Sequence, residues 1–402
     1  MPVVLKDIPC EKLPASSPNP LFWGLLLVLA MLFNAAVVLL CWPQGQTAEG
    51  SQFWFLLVGP AALGWLVAML ARSLYWTVEQ KFIDDFNQQR NARIQKEIAR
   101  GRRFLYILDD ASIVASHSGD VGKFQPEGKA VLAARETPQG QIIRHTPLPR
   151  EGSTEVDFLL TLFQRLLFDM DKGIRRLPTD CVLYVSLQVN TLLSSEEVRQ
   201  CWSEAGETSL PHRKVVLQME KNGLAAVDNW LDNYYDDVAA LLIVSVQLNQ
   251  SAVPLPESAE AAVGVLFTNV PMFEGDLALL HRPEHSNADD VETSISQALI
   301  WAREDEPYNV ETLWMSGLDQ EGKGIGLWMR ALESPTLKKL QQIKRKDVDR
   351  LIGNAGLASS WLGVIAAREG ALATRRPQIV LSHLENASRP RAWISVVSPT
   401  SC

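Results

Sequence analysis

The stretch IGNAGLASSWLGVIAA, residues 352–367, decides how the fold is read, because nearly every residue in it is small or apolar. Glycine, alanine and serine at the start of a helix let its backbone approach a neighbouring element more closely than bulky side chains allow. The stretch therefore predicts a buried helix that packs tightly on a sheet. It contains neither histidine nor cysteine, so it lacks the usual base or nucleophile of an active site at a helix start.

The rest of the chain after residue 104 alternates between two kinds of pattern. Short runs rich in apolar and β-branched residues predict strands over residues 104–108, 181–189, 214–219, 238–248, 262–269, 310–315, 378–381 and 392–397. Amphipathic segments predict helices over residues 155–176, 194–202, 223–234, 291–301 and 324–332. This alternation is typical of an α/β sandwich with a largely parallel sheet.

Two apolar runs near the beginning of the chain predict a membrane anchor. The run 21–42 has no charged residue and matches the roughly 20 residues that a helix needs to cross the hydrocarbon core. A second run, 53–71, follows a short polar turn, and tryptophans flank both runs as they do at membrane interfaces. A signal peptide followed by a buried core helix is the alternative, but its apolar region would be only about 7–15 residues long.

Charge predicts the orientation of this anchor. Basic residues are concentrated between Arg72 and Arg103, whereas the turn between the runs carries only Glu49. Because positive residues stay on the cytoplasmic side, we expect a two-pass protein with both termini in the cytoplasm. The expected parts are a cytosolic leader at 1–20, a transmembrane hairpin at 21–76, a juxtamembrane helix at 77–103, and two α/β halves at 104–250 and 251–402.

Composition excludes several classes of protein. The 402 residues carry a net charge of −8, which argues against a nucleic-acid binder because such proteins need a basic face. The five cysteines are scattered and contain no CxxC pair, so neither a disulfide framework nor a zinc site is expected. No motif indicates a cofactor or a metal. No GxSxG elbow is present, which argues against a lipase.

Three segments, 217–248, 313–333 and 349–367, resemble thiolases and ketoacyl synthases in the order of their elements and in their small-residue helices. The resemblance implies a thiolase-like α/β sandwich with two similar halves. It places the family's nucleophilic cysteine near Glu220, its first histidine near Ser316 and its second histidine near Asn354. Glutamate, serine and asparagine cannot supply the thiolate and donor set of an acyl transfer. The implied domain is a non-catalytic relative without catalytic residues.

The chain as a whole also resembles a family of membrane proteins encoded beside bacterial type VI secretion genes. The opening residues 1–23, the segment RRFLYILDD at 102–110 and the closing ISVVSP at 394–399 carry this resemblance. It implies an inner-membrane adaptor or chaperone that binds a secreted lipase effector and loads it on the spike protein of the secretion machine. Its oligomeric state is left open.

Four other features are open to a functional or a structural interpretation. His281 and His285 surround Pro283, so the segment HRPEH predicts a loop rather than a helical metal site. Asp228 and Asp232 lie four residues apart on a predicted helix, which favours a solvated helix face. The glycines of 319–326 lack the spacing of a phosphate-binding loop and indicate a turn. The basic segment 338–350 predicts a solvated surface helix that could dock an acidic partner or the membrane face.

Two other functions remain open. The first is a divergent, membrane-associated acyltransferase or acyl-thioester-binding enzyme of the thiolase-like fold, for which the anchor would place the domain near lipid precursors. The second is a structural component of an envelope machine, in which the juxtamembrane helix drives oligomerisation.

Overall fold

The structure is a computed structural model of the 402-residue chain. It describes residues 8–43, 50–116, 120–137, 140–150, 154–210, 213–219, 223–251, 253–270, 277–287, 290–302, 310–317, 329–330, 333, 340, 342–383 and 391–400. The chain forms two compact units, one covering residues 4–97 and one that begins at Ile98.

The first unit contains the predicted apolar helices. Helix α1 (Pro20–Cys41) starts at Asn19, whose side chain accepts the N–H of Leu21 at 3.0 Å. Helix α2 (Ser51–Gly101) is continuous and includes the predicted juxtamembrane segment 77–103 except for its last two residues. Both helices are long and apolar enough to cross a membrane, as the sequence predicts.

Polar side chains hold the two helices and the leader together. The amide of Asn34 in α1 donates to the carbonyl oxygen of Leu56 in α2 at 2.9 Å. In the leader, the carbonyl of Ala15 accepts the indole N–H of Trp76 at 3.2 Å. The leader therefore lies along the part of α2 that follows its apolar run.

The second unit is built from strands and helices in alternation. Its described strands are β1 (Phe104–Ala115), β2 (Val121–Gly122), β3 (Ala133–Glu136), β4 (Ile142–Thr146), β5 (Val182–Asn190), β6 (Val215–Met219), β7 (Ala239–Gln247), β8 (Ser258–Ala259), β9 (Ala261–Thr268), β10 (Ala278–His281), β11 (Glu284–Asn287), β12 (Thr312–Ser316), β13 (Lys344–Asp347), β14 (Gln378–His383) and β15 (Arg391–Pro399). Its described helices are α3 (Glu155–Asp169), α4 (Asp171–Arg176), α5 (Ser195–Ser209), α6 (Ala225–Asn233), α7 (Val291–Trp301), α8 (Asp349–Ile352) and α9 (Ser359–Thr374).

The main sheet contains the same strand order twice. Its order is β13-β12-β14-β15-β10-β1-β9-β7-β5-β6. The five strands from β13 to β10 form one group, and the five from β6 to β1 form the other. When the strands of each group are numbered in chain order, both groups run third, second, fourth, fifth and first from the edge of the sheet to its centre. The first strands, β1 and β10, pair antiparallel at the centre, with Phe104 opposite His281 and Ile107 opposite Ala278. The predicted α/β sandwich with two similar halves is therefore confirmed.

Alternation along the strands decides which helices cover each face. On β7, Leu241 and Ile243 belong to the apolar cluster that contains α6 and α9, whereas Leu242 and Val244 belong to the cluster that contains α3 and α5. In the second group, α7 packs on the same face as α3 and α5 do in the first. Helices α6 and α9 thus share one face of the sheet, where they join the two groups.

Two expectations about the sheet are wrong. The sheet is mixed rather than largely parallel, because β9 and β15 each run antiparallel to both of their neighbours. The basic segment 338–350 contains the edge strand β13, not a surface helix. Charged side chains are common on edge strands, where they discourage pairing with other chains.

The helix predicted over 324–332 and the turn at 319–326 fall largely outside the described residues.

The division of the globular part at residue 250 stays a prediction. By strand pairing, the first group includes β9, which ends at Thr268.

Candidate functional site

Glu220, Ser316 and Asn354 are the degenerate positions, where the resemblance places catalytic residues that this chain lacks. The first of them follows β6. Glu220 lies outside the described residues, and Gly223 is the next described residue of the loop. Gly223 has a φ of +52°, and its carbonyl accepts the side-chain amide of Gln188 at 3.2 Å. A Cβ atom at Gly223 would lie 3.8 Å from the hydroxyl oxygen of Ser360. The loop before α6 therefore reaches the start of α9.

The turn before α9 explains why the stretch 352–367 contains so many small residues. Gly353 has a φ of +100°, and a Cβ atom there would lie 2.7 Å from the carbonyl oxygen of Ser258. The Oδ1 atom of Asn354 accepts the N–H of Gly356 at 2.8 Å and the hydroxyl of Ser359 at 3.3 Å. Asn354 therefore holds the turn that leads into α9, and glycine is required beside it.

Ser316 lies at the end of β12, fully buried beneath α9. A Cβ atom at Gly363 would lie 2.8 Å from its hydroxyl oxygen and 3.2 Å from Cγ1 of Val380. Ser359 and Gly363 are four residues apart and therefore share one side of the helix. Ser316 and Asn354 thus contact the same side of α9, about one turn apart. The structure brings these two positions to one helix but places Ser316 in the interior.

The close contact at Gly363 makes a prediction for α9. We expect Gly363→Ala to lower the free energy of unfolding by about 1–2 kcal/mol, because the added methyl group overpacks the contact with Ser316. Gly206→Ala in α5 is the matched control, since the nearest atom to its new methyl group is 3.8 Å away. That control should raise the free energy of unfolding by up to about 1 kcal/mol through helix propensity. Chemical unfolding followed by circular dichroism would measure both, and the same sign for both would contradict the contact.

Gln188 and Trp361 occupy the space between the starts of α6 and α9. The indole N–H of Trp361 donates to Oε1 of Gln188 at 2.8 Å, while the amide nitrogen of Gln188 donates to Gly223. Both side chains are fully buried. Sequence reasoning missed this pair, although a glutamine within the apolar run of β5 signals a buried polar group that needs partners.

The described cysteines of the globular unit lie in surroundings that disfavour a thiolate. Cys181 lies just before β5 and Cys201 lies within α5, and both are buried. Burial raises the pKa of each thiol, which disfavours the reactive thiolate. Neither lies at the start of α6, where the resemblance would require the catalytic cysteine.

A second polar cluster joins two motifs that the sequence analysis treated separately. Arg282, from the HRPEH segment, is fully buried and donates to Asp228 and to Asp232, each at 2.7 Å. Asp232 also accepts two hydrogen bonds from Arg100, at 2.9 and 2.7 Å. The prediction that Asp228 and Asp232 form a solvated face is therefore wrong, because both bind a buried arginine from the segment between β10 and β11.

The HRPEH segment is a β-bulge rather than a simple loop. Leu280 pairs with Val397, but Glu284 pairs with Ile394, so β10 and β11 together carry one extra residue along β15. Bulges of this kind redirect side chains. Here the bulge contains Arg282, whose guanidinium reaches α6.

Electrostatics differ sharply between the carboxylates of this cluster. Burial disfavours the charged form of Asp232, yet hydrogen bonds from Arg100 and Arg282 hold the pKa of its carboxyl well below its usual range. Burial raises the pKa of Glu284 to about 7, although a hydrogen bond from the indole of Trp301 acts in the opposite direction and lowers it. The cluster therefore contains a firmly ionised carboxylate and a carboxyl group that changes charge near neutral pH.

Comparisons with known proteins give matches among solved structures only. No protein-family model matches the chain, and no curated protein matches its sequence. An oxazolomycin ketosynthase domain from Streptomyces albus JA3453 is 11% identical, with a TM-score of 0.49 over 74% of this chain and 95% of that one. The C-terminal type III polyketide synthase domain of Steely1 from Dictyostelium is 10% identical, with a TM-score of 0.48 over 74% and 100%. OleA from Xanthomonas campestris is 10% identical, with a TM-score of 0.45 over 73% and 98%.

These structures belong to the thiolase-like class that the sequence resembles. Identities near 10% and TM-scores below 0.5 carry no activity, substrate or partner over to this chain. The two-fold repeat of strand order, not the similarity, is the observation on which the fold assignment rests.

Proposed function

We propose that the chain is a membrane-anchored, non-catalytic binding protein whose α/β unit serves as a scaffold for a partner. The observation that carries the proposal is the pair of Gln188 and Trp361. These buried side chains use their hydrogen-bonding groups on each other and on Gly223, in the segment before α6 where the sequence resemblance would require a nucleophilic cysteine. The interior position of Ser316 and the raised pKa values of Cys181 and Cys201 support the same conclusion.

The finer proposal concerns the partner. The sequence resemblance carried by residues 1–23, 102–110 and 394–399 favours a lipase effector of a type VI secretion system, together with its spike protein. The basic residues between Arg72 and Arg103 favour a cytoplasmic position for the α/β unit, where such an effector would be loaded.

Copurification tests this proposal. The tagged full chain would be expressed from its native gene neighbourhood, extracted in detergent and captured, and the retained proteins identified by mass spectrometry. We expect a lipase and a spike protein at near-stoichiometric amounts, and neither in a parallel capture from cells with the untagged chain. Their absence from the eluate of a well-folded chain would contradict the partner.

A specific feature of Asn354 favours a second candidate function, the binding of an acyl thioester. The contacts recorded for this side chain all involve Oδ1, and among the described residues none accepts from its amide nitrogen. Asn354 is half-buried beside the start of α9, so its N–H groups could donate to a thioester carbonyl. The raised pKa values of Cys181 and Cys201 disfavour covalent acyl transfer, but they do not oppose non-covalent binding.

Asn354→Asp separates the two functions. Aspartate keeps the oxygen that accepts from Gly356 and Ser359 but loses the N–H donors. If the chain binds acyl thioesters, acyl-coenzyme A binding measured by calorimetry should weaken at least tenfold in the variant. If the chain is a scaffold, the wild type should show no such binding and the variant should retain the same partners.

A further inference from the structure

The last turn of α2 makes its contacts within the second unit, which begins at Ile98. Arg100 pairs with Asp232 of α6 at 2.7 Å. Just after the helix, the Nε–H of Arg102 donates to the carbonyl oxygen of Ile300 in α7 at 3.4 Å. The end of the long helix therefore has one polar attachment to each of two neighbouring helices.

Between these attachments, Gly101 packs on the ring of Trp301, the last residue of α7. Gly101 is buried, and a Cβ atom there would lie 2.5 Å from two carbon atoms of that ring. Trp301 is itself fully buried, and its indole N–H donates to the carboxyl group of Glu284 in β11. The contacts thus form a series, in which the end of α2 covers the tryptophan and the tryptophan covers the carboxyl group.

The surroundings of Glu284 disfavour a charge on its carboxyl group. The side chain is buried, and its neighbour across the ladder in β15 is the apolar Ile394. Two charged groups face it, namely Asp228 of α6, which repels an ionised carboxyl group, and Arg282 of the bulge, which attracts it. Arg282 already binds Asp228 and Asp232. Burial outweighs the attraction and raises the pKa of Glu284 to about 7.

The end of α2 is the least costly place to admit water to this carboxyl group. An ionised carboxyl group favours conformations in which water reaches it, because burial penalises the charged form. Opening at β11 would break its ladder with β15, whereas Arg100 and Arg102 are already partly exposed. Local opening of a chain segment needs far less free energy than global unfolding. Ionisation of Glu284 should therefore act first on the contact between Gly101 and Trp301.

We propose that Glu284, Trp301 and Gly101 form a pH-sensitive latch on the end of α2, which is closed when the carboxyl group is protonated and loosened when it is ionised. In the closed state, Trp301 and Gly101 stay packed over the neutral carboxyl group. In the loosened state, residues 98–103 open more often, and water reaches the carboxylate. The proton leaves to the solvent, and no other bond breaks. The latch is independent of the proposed partner.

The size of the effect follows from the pKa of Glu284 in the closed and open states. In the open, hydrated state the pKa returns to its ordinary value near 4.5, whereas it is about 7 in the closed state. The closed state is therefore most stable at acidic pH and loses stability as the pH rises to about 7. Raising the pH from 6 to 8 should increase the opening equilibrium about tenfold, and the effect levels off above that range.

Hydrogen exchange followed by mass spectrometry tests the latch, with the full chain and its Glu284→Gln variant in the same detergent at pH 6 and pH 8. Comparison at equal pH cancels the intrinsic pH dependence of exchange. Glutamine can still accept the indole N–H of Trp301 but cannot ionise. In peptides that cover residues 98–103, the exchange rate of the wild type relative to the variant should rise about tenfold between pH 6 and pH 8. Glu196→Gln, on the exposed first turn of α5, is the matched control and should give a ratio independent of pH.

Two results would overturn the latch. One is a ratio for residues 98–103 that is the same at both pH values. The other is an equal rise in peptides from α5, which would assign the effect to global unfolding. If Glu284→Gln does not fold, the wild type alone decides, after correction for intrinsic exchange. Protection of residues 98–103 should then fall between pH 6 and pH 8 relative to that of α5, and unchanged relative protection would refute the latch.

Discussion

Replacing Arg282 with alanine is expected to lower the free energy of unfolding of the globular unit by about 3–5 kcal/mol. The guanidinium is fully buried and donates to both Asp228 and Asp232 at 2.7 Å. Without it, Asp228 and Asp232 each lose a buried cationic partner, while both carboxylates remain largely removed from water. A buried charge that loses its partner costs far more than the net gain from forming the pair.

Chemical unfolding of the full chain in detergent, followed by near-ultraviolet circular dichroism, would measure this loss. Arg175→Ala is the matched control, because Arg175 pairs with Asp171 on the exposed surface of α4 and should change nothing measurable. The double variant Arg282→Ala, Asp228→Asn should be more stable than Arg282→Ala alone, since it removes one of the two carboxylates that lost a partner. Equal stability of the single and double variants would show that the charges are not the cause.

Replacing Glu284 with glutamine is expected to remove a large part of the pH dependence of stability. Burial raises the pKa of Glu284 to about 7 from its ordinary value near 4.5. Between these values the folded chain binds the proton that the unfolded chain releases, so stability falls as the pH rises from about 4.5 to 7. A shift of this size corresponds to a loss on the order of 3 kcal/mol, complete above pH 7.

Glutamine can still accept the indole N–H of Trp301 and never ionises. The variant should therefore match the wild type near pH 4.5 and exceed it by on the order of 2–3 kcal/mol at pH 8. Unfolding free energies of both proteins at several pH values between 4.5 and 8 would test this, because their difference cancels the other titrating groups. A constant difference across this range would refute the assignment to Glu284.

Local pattern was sufficient to predict the central strands and several helices. The apolar runs at 181–189 and 238–248 correspond to β5 and β7, since strands buried on both faces leave a continuous hydrophobic signature. The helix at 291–301 matches α7, and the helix predicted from 194 begins at a capping box of Ser194 and Glu197. These signals are local, so a single sequence carries them.

Features that depend on distant contacts could not be predicted in the same way. Arg282 meets Asp228 across 54 positions of sequence, and no local pattern links a loop-like HRPEH to a helix. The basic residues of β13 resemble a surface helix because an edge strand has little apolar content to mark it. Asn354 and Ser316 were identified through resemblance, but only the fold shows that one holds a turn and the other is buried.

The pairing of β1 with β10 has a consequence for the chain's two repeated groups of strands. Each group alone would end in a first strand with one open edge, along Phe104–Ile107 of β1 or Ala278–His281 of β10. Open strand edges promote association with other chains and aggregation. In the intact protein each group of strands covers the open edge of the other. Separating the two groups would expose an unpaired strand edge on each.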